Sequence, residues 1–116
     1  MKKILLVDDE DSIHLLYREE FEDEGYEVVS AYNGDQAIDK FQAEKPDLVI
    51  LDINMPGMNG IEVLRRLKEM SPDLPVILSS AYTEYKQDFG SWASDEYIVK
   101  SANLDELKNA VKKHLS

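Results

Sequence analysis

The sequence contains no cysteine, which excludes disulfide staples, thiol nucleophiles and zinc–thiolate sites. No apolar run approaches the ~18 residues of a membrane span. The opening Met-Lys-Lys-Ile-Leu-Leu-Val-Asp-Asp meets acids after four apolar residues, too soon for a signal-peptide core. Basic residues are in deficit: 13 Lys and Arg stand against 24 Asp and Glu, a formal net charge of −11. A nucleic-acid binder normally carries a basic patch, so direct DNA or RNA binding is not expected, and neither is a membrane role. Histidine is scarce. His14 and His114 form neither a metal pair nor a catalytic constellation, and the surface is the expected place for His14. No internal repeat, low-complexity tract or linker interrupts the chain. A cytoplasmic location fits the missing cysteines.

What is present suits one domain. The 116 residues are 43% hydrophobic and 32% charged, enough for a real core. Charge is lopsided: residues 1–60 carry 5 basic and 15 acidic side chains, so a cation or a basic partner would be drawn to the first half. Four short apolar runs stand out, Ile4–Val7, Leu48–Leu51, Val76–Leu78 and Tyr97–Val99. They are continuous, as in strands covered on both faces of a parallel sheet. A fifth, Tyr26 to Ala31, is more mixed and suits a position nearer an edge. Between them apolar residues recur at helical spacing: Ile13, Leu16, Tyr17 and Phe21 before Gly25; Ala37, Ile38 and Phe41 after Asn33-Gly34; Ile61, Leu64 and Leu67 before Ser71-Pro72; and Leu104 to Leu115. Segment 82–94 is ambiguous, its helical aromatics interrupted by Gly90, and a short or irregular fourth helix is expected there. The β-α alternation predicts a parallel sheet with helices on both faces. The whole of 1–116 is expected to be one domain with no output domain.

In such sheets ligands collect at the carboxyl ends of the strands. Those ends read Asp8-Asp9-Glu10-Asp11, Asp52, Ser79-Ser80 and Lys100. An Asp or Ser there is often just a helix cap. Asp52, however, follows four apolar residues and is expected to be deep, where a lone carboxylate is costly. Asp8 and Asp9 aggravate that cost, and a divalent cation would relieve it. Hard oxygen donors favour Mg²⁺, with Mn²⁺ as the substitute. A metal-binding carboxylate set, a further carboxylate free to attack, a lysine and a hydroxyl suit phosphoryl transfer to an aspartate.

At this point the sequence resembles the receiver domain of two-component response regulators, the CheY-like family. The resemblance rests on Val7-Asp8-Asp9-Glu10, the run Leu51-Asp52-Ile53-Asn54-Met55-Pro56-Gly57-Met58-Asn59-Gly60, Ser80-Ala81 and Tyr97-Ile98-Val99-Lys100, and covers essentially the whole chain. It implies a doubly wound five-stranded sheet of order 2-1-3-4-5. It implies a phosphoacceptor switch rather than an enzyme, with Asp52 taking the phosphoryl group from a histidine kinase or histidine phosphotransfer protein. By the same resemblance Asp9, Asp52 and the Asn54 backbone carbonyl bind Mg²⁺, with Asp8 acting through a water. Lys100 pairs with the phosphoryl group, Ser80 is the switch hydroxyl, and Tyr97 is the switch aromatic. Asn54, Ala81 and Tyr82 lie near the phosphoryl group, where the Tyr82 ring would slow hydrolysis. Output is expected through a protein partner on the face of the fourth helix, fifth strand and fifth helix. The expected state is a monomer, with dimerisation on phosphorylation left open.

Alternatives stay open at individual positions. Ser79 competes with Ser80 for the hydroxyl role, and Tyr97 reads equally well as a half-buried strand aromatic. Two departures from the family pattern touch the site. Lys100-Ser101 replaces the usual Lys-Pro, and the distance from Ser80 to Lys100 is shorter than usual, the missing residues falling in 82–94. Among other classes, an aspartate-nucleophile hydrolase of the haloacid dehalogenase type would need D-x-D-x-[TV], which Asp8-Asp9-Glu10 breaks. A flavin binder would need a phosphate-cradling loop where this chain has acids. A receiver-shaped interaction module that acts without phosphorylation is the remaining alternative.

Overall fold

The computed structural model describes residues 2–52, 60–80, 96–99 and 104–115. Their elements are β1 (Lys3–Val7), α1 (Asp11–Asp23), β2 (Glu27–Ala31), α2 (Gly34–Glu44), β3 (Leu48–Asp52), α3 (Gly60–Met70), β4 (Val76–Ser80), β5 (Glu96–Val99) and α4 (Asp105–Leu115). The last of these is the fifth helix of the sequence reading. Its expected fourth, in 82–94, lies outside the described residues. The five strands form one parallel sheet in the order β2-β1-β3-β4-β5, as the resemblance implied. The mixed strand, β2, is indeed at an edge.

Side-chain alternation along each strand divides the core in two. Leu5, Val7, Val49, Leu51, Val76 and Leu78 face Ala37 of α2 and Val63, Leu64 and Leu67 of α3. Ile4, Leu6, Leu48, Ile50, Ile77 and Ile98 face Tyr17 and Phe21 of α1 and Leu107, Ala110 and Val111 of α4. Every residue of β3 is buried, because this central strand is covered on both faces and both edges. That is why its run is unbroken by polar residues until Asp52.

Helix ends follow from local chemistry. Gly25 takes φ +95° after α1, a backbone that a Cβ would strain. Asn33 caps α2 by accepting the Gln36 N–H at 2.8 Å, while the Gln36 side chain accepts the Tyr32 N–H at 2.9 Å. This reciprocal arrangement fixes where β2 hands over to α2. At the other end Lys45 is left-handed, with φ 49°, and Pro46 follows. No helix among the described residues is long and apolar enough to cross a membrane.

Candidate functional site

The carboxyl ends of the three central strands define a row: Asp8 follows β1, Asp52 ends β3 and Ser79 is next to last in β4. Asp8 lies two positions beyond Leu6, Asp52 two beyond Ile50, and Ser79 two beyond Ile77, so all three continue the alternation that faces α1 and α4. Register carries them side by side. Val7 pairs with Leu51, which makes Asp8 and Asp52 neighbours one step on. Asp52 pairs with Ser79, and Ser79 with Ile98. Two acids and a hydroxyl are thus lined up across three adjacent strands at the carboxyl end of the sheet.

Burial sharpens the row. Asp8 is 1% exposed, Asp52 4% and Ser79 1%. The Asp8 carboxylate accepts the Glu10 N–H at 2.9 Å, and the Asp8 N–H continues the ladder by donating to the Ala31 carbonyl at 3.1 Å. Asp9 and Glu10 are exposed, yet Asp8, Asp9 and Glu10 bring one carboxylate oxygen each within 4.8 Å of one another. Three like charges so close repel strongly. The donors are all hard oxygen, with neither sulfur nor imidazole among them, so the residues present fit a cation of the Mg²⁺ kind. Asp52 stands beside this cluster on the next strand. Glu10 carries no site role in the family resemblance, although it continues the acidic run after β1.

The Ser79 hydroxyl has no hydrogen-bond partner among the described residues. Ser80, expected to be the switch hydroxyl, ends β4 opposite Val99, one step past the row. Tyr97 lies on β5 opposite Leu78. The side chains of Ser80 and Tyr97, and all of Asn54, Ala81, Tyr82 and Lys100, lie outside the described residues.

His14 departs from expectation. It is 3% exposed because its ring is consumed by contacts. Nε2 lies 2.8 Å from the Asp8 carbonyl oxygen and Nδ1 2.9 Å from Ser30 Oγ. Tyr32 stacks on the ring at 4.1 Å between centroids, and the Arg18 guanidinium donates to Ser30 Oγ at 2.8 Å. Leu16, expected on the buried face, is 43% exposed, beside Leu15 at 72%. The spacing could have revealed this: His14, Tyr17 and Phe21 follow at intervals of 3 and 4, the buried stripe of α1.

This parallel sheet with its acidic edge belongs to a known class. The chain is a member of the response regulator receiver domain family, whose model matches residues 4–112, and so one of the phosphoacceptor switches of two-component signalling. Among curated relatives, it is 42% identical to the sporulation initiation phosphotransferase F of Bacillus subtilis, covering 98% of this chain and 94% of that one. It is 37% identical to the alkaline phosphatase synthesis transcriptional regulatory protein PhoP of the same organism, covering 96% of this chain but 47% of that protein. Among solved structures, the response regulator TrrA of Thermotoga maritima in complex with Mg²⁺-BeF superposes with a TM-score of 0.94 at 52% identity, covering 99% of this chain and all of that one. A second structure, of the histidine kinase ThkA in complex with TrrA, matches with a TM-score of 0.92 at 52% identity over 100% of both chains.

Proposed function

We propose that Asp52 is the phosphoacceptor of this receiver. The observation that carries the reading is a carboxylate 4% exposed at the end of the central strand, set beside the Asp8–Asp9–Glu10 cluster. In the transfer an Asp52 carboxylate oxygen attacks phosphorus. The bond from phosphorus to the donor's imidazole nitrogen breaks, and its electron pair stays on that nitrogen. Asp9, Asp52 and the Asn54 backbone carbonyl would hold Mg²⁺, with Asp8 acting through a water. When bound, the metal supplies positive charge against the phosphoryl oxygens. Lys100 adds a second positive charge there, and Ser80 supplies a hydrogen bond to one of those oxygens. Tyr97 follows Ser80 and passes the change to the output face.

The donor in this reading is a histidine kinase or phosphotransfer protein. The complex of the histidine kinase ThkA with TrrA, which is 52% identical to this chain, supports it. Metal dependence is supported by the Mg²⁺-BeF complex of the same relative. Intact mass after incubation with acetyl phosphate tests the reading. Wild type should gain one phosphoryl group with Mg²⁺ and none in EDTA, and Asp52→Asn should gain none in either. A folded wild type that stays unmodified with Mg²⁺ would overturn it and leave a receiver-shaped interaction module.

A further inference from the structure

We propose that His14 is a positioning residue for the acidic cluster, holding the Asp8 backbone in the shape that receives the metal. The inference rests on the reading of Asp8 and Asp9 as metal carboxylates. A strand that ends leaves its last carbonyls without a ladder partner. Here Asp8 donates its N–H to Ala31, and its carbonyl is taken up from the side by His14 Nε2 at 2.8 Å. A carbonyl oxygen only accepts, so Nε2 carries the hydrogen, and this contact assigns the tautomer. In the neutral ring Nδ1 then offers a lone pair, which accepts the Ser30 hydroxyl hydrogen at 2.9 Å. The Ser30 oxygen in turn accepts from Arg18 at 2.8 Å. Each donor in the chain Arg18, Ser30, His14, Asp8 meets one acceptor, and the stacked Tyr32 ring fixes the imidazole plane.

The consequence is geometric. Asp8 supplies a buried carboxylate, and Asp9 and Glu10 follow it directly. The carbonyl held by His14 belongs to the peptide that joins Asp8 to Asp9, so its orientation sets how the Asp9 and Glu10 carboxylates stand relative to that of Asp8 in their shared 4.8 Å cluster. The α1 helix anchors that peptide through His14, and β2 anchors His14 through Ser30. Groups that orient metal ligands without touching the metal commonly change affinity 10–100-fold when removed.

The test is Mg²⁺ titration by calorimetry on the full chain, with three proteins. His14→Leu fills the space but cannot donate. His14→Gln places an amide N–H where Nε2 stood. Wild type and His14→Gln should bind Mg²⁺ within about threefold of each other, and His14→Leu about tenfold or more weaker. A purely structural role would not rank Gln with wild type on affinity while both variants remain folded. The nitrogen shifts of the His14 ring in wild type, read by NMR, should report the Nε2–H tautomer whether or not the variants fold. Equal affinity of His14→Leu and wild type, equal weakening by Gln and Leu, or an Nδ1–H tautomer would each overturn the proposal. Wild type that binds no Mg²⁺ would overturn both this proposal and the metal reading beneath it, whereas binding unaffected by His14→Leu would sink this proposal alone.

Discussion

Replacing Asp52 by Asn should stabilise the metal-free protein. Asp8 and Asp52 are both nearly inaccessible, at 1% and 4%. They follow paired residues on adjacent parallel strands and continue the same face. Neighbouring strands are about 4.8 Å apart. Two unit charges about 5 Å apart at an effective dielectric of about 20 repel by roughly 3 kcal/mol. Asn keeps the shape of Asp and removes that repulsion, while losing part of any favourable pairing of the carboxylate. A net gain of about 2 kcal/mol is expected, which for a domain of this size raises Tm by roughly 8 °C. Mg²⁺ should work in the opposite direction. A ligand at 100 times its Kd stabilises by about 2.7 kcal/mol, and wild type offers it one more carboxylate than the variant does. The gap should therefore close as Mg²⁺ is added. Urea melts in EDTA and in a Mg²⁺ series, with unchanged slope m, give the numbers. If Asp52→Asn in EDTA is no more stable than wild type, or if Mg²⁺ leaves the gap untouched, the crowding of charge inferred from the register is wrong.

Three further outcomes are expected. Ser79→Ala should raise stability by about 1 kcal/mol in the unphosphorylated protein, because its buried hydroxyl meets no partner among the described residues and an unsatisfied hydroxyl costs about that much or more; a lower denaturation midpoint would contradict this. Lys45→Gly should raise it by about 0.5–1 kcal/mol, since φ 49° strains any residue with a Cβ and glycine recovers more than its unfolded-state entropy costs. Lys108 links α4 to α1 by donating to Glu20 at 2.7 Å. That hydrogen bond, then the charges of Glu20, Glu24 and Asp105, holds the ammonium above its ordinary value of 10.5. A raised folded-state value means the contribution is complete below the unfolded value and is lost as pH rises through the folded one. The stability gap between wild type and Lys108→Met should therefore be flat at neutral pH and shrink above about pH 10.5; a gap that persists at high pH would show that the ammonium charge is not what bridges the helices.

How much of this was legible in the sequence depended on where each constraint came from. The central strands declared themselves because burial on both faces tolerates no polar residue. β3 runs from Leu48 to Leu51 without one, and the first polar residue after it had to be deep and at the carboxyl end. The same logic made the β2 segment ambiguous. An edge strand is relieved of burial on one side, and its pattern alternates between exposed Glu27, buried Val28 and half-buried Val29 and Ser30. The depth of Asp52 and its proximity to the acid run after β1 were therefore readable from local pattern plus topology.

The burial of His14 runs against its polarity, and the reason is physical. A hydrophobicity criterion assigns Leu16 to the core and histidine to water. Helical spacing assigns positions 14, 17 and 21 to one face whatever their polarity. The second criterion was the right one, because the cost of burying an imidazole is offset by partners that come from elsewhere in the chain. Those partners are the Ser30 hydroxyl, 16 positions away, and the Asp8 carbonyl. Such compensation is invisible to local pattern and becomes visible only when register brings β1 and β2 together, with Leu6 opposite Ser30 and Val7 opposite Ala31. A polar residue on a buried helical stripe is thus itself information. It states that a donor or acceptor waits at that depth, and here the acceptor is the backbone of the residue from which the acidic cluster begins.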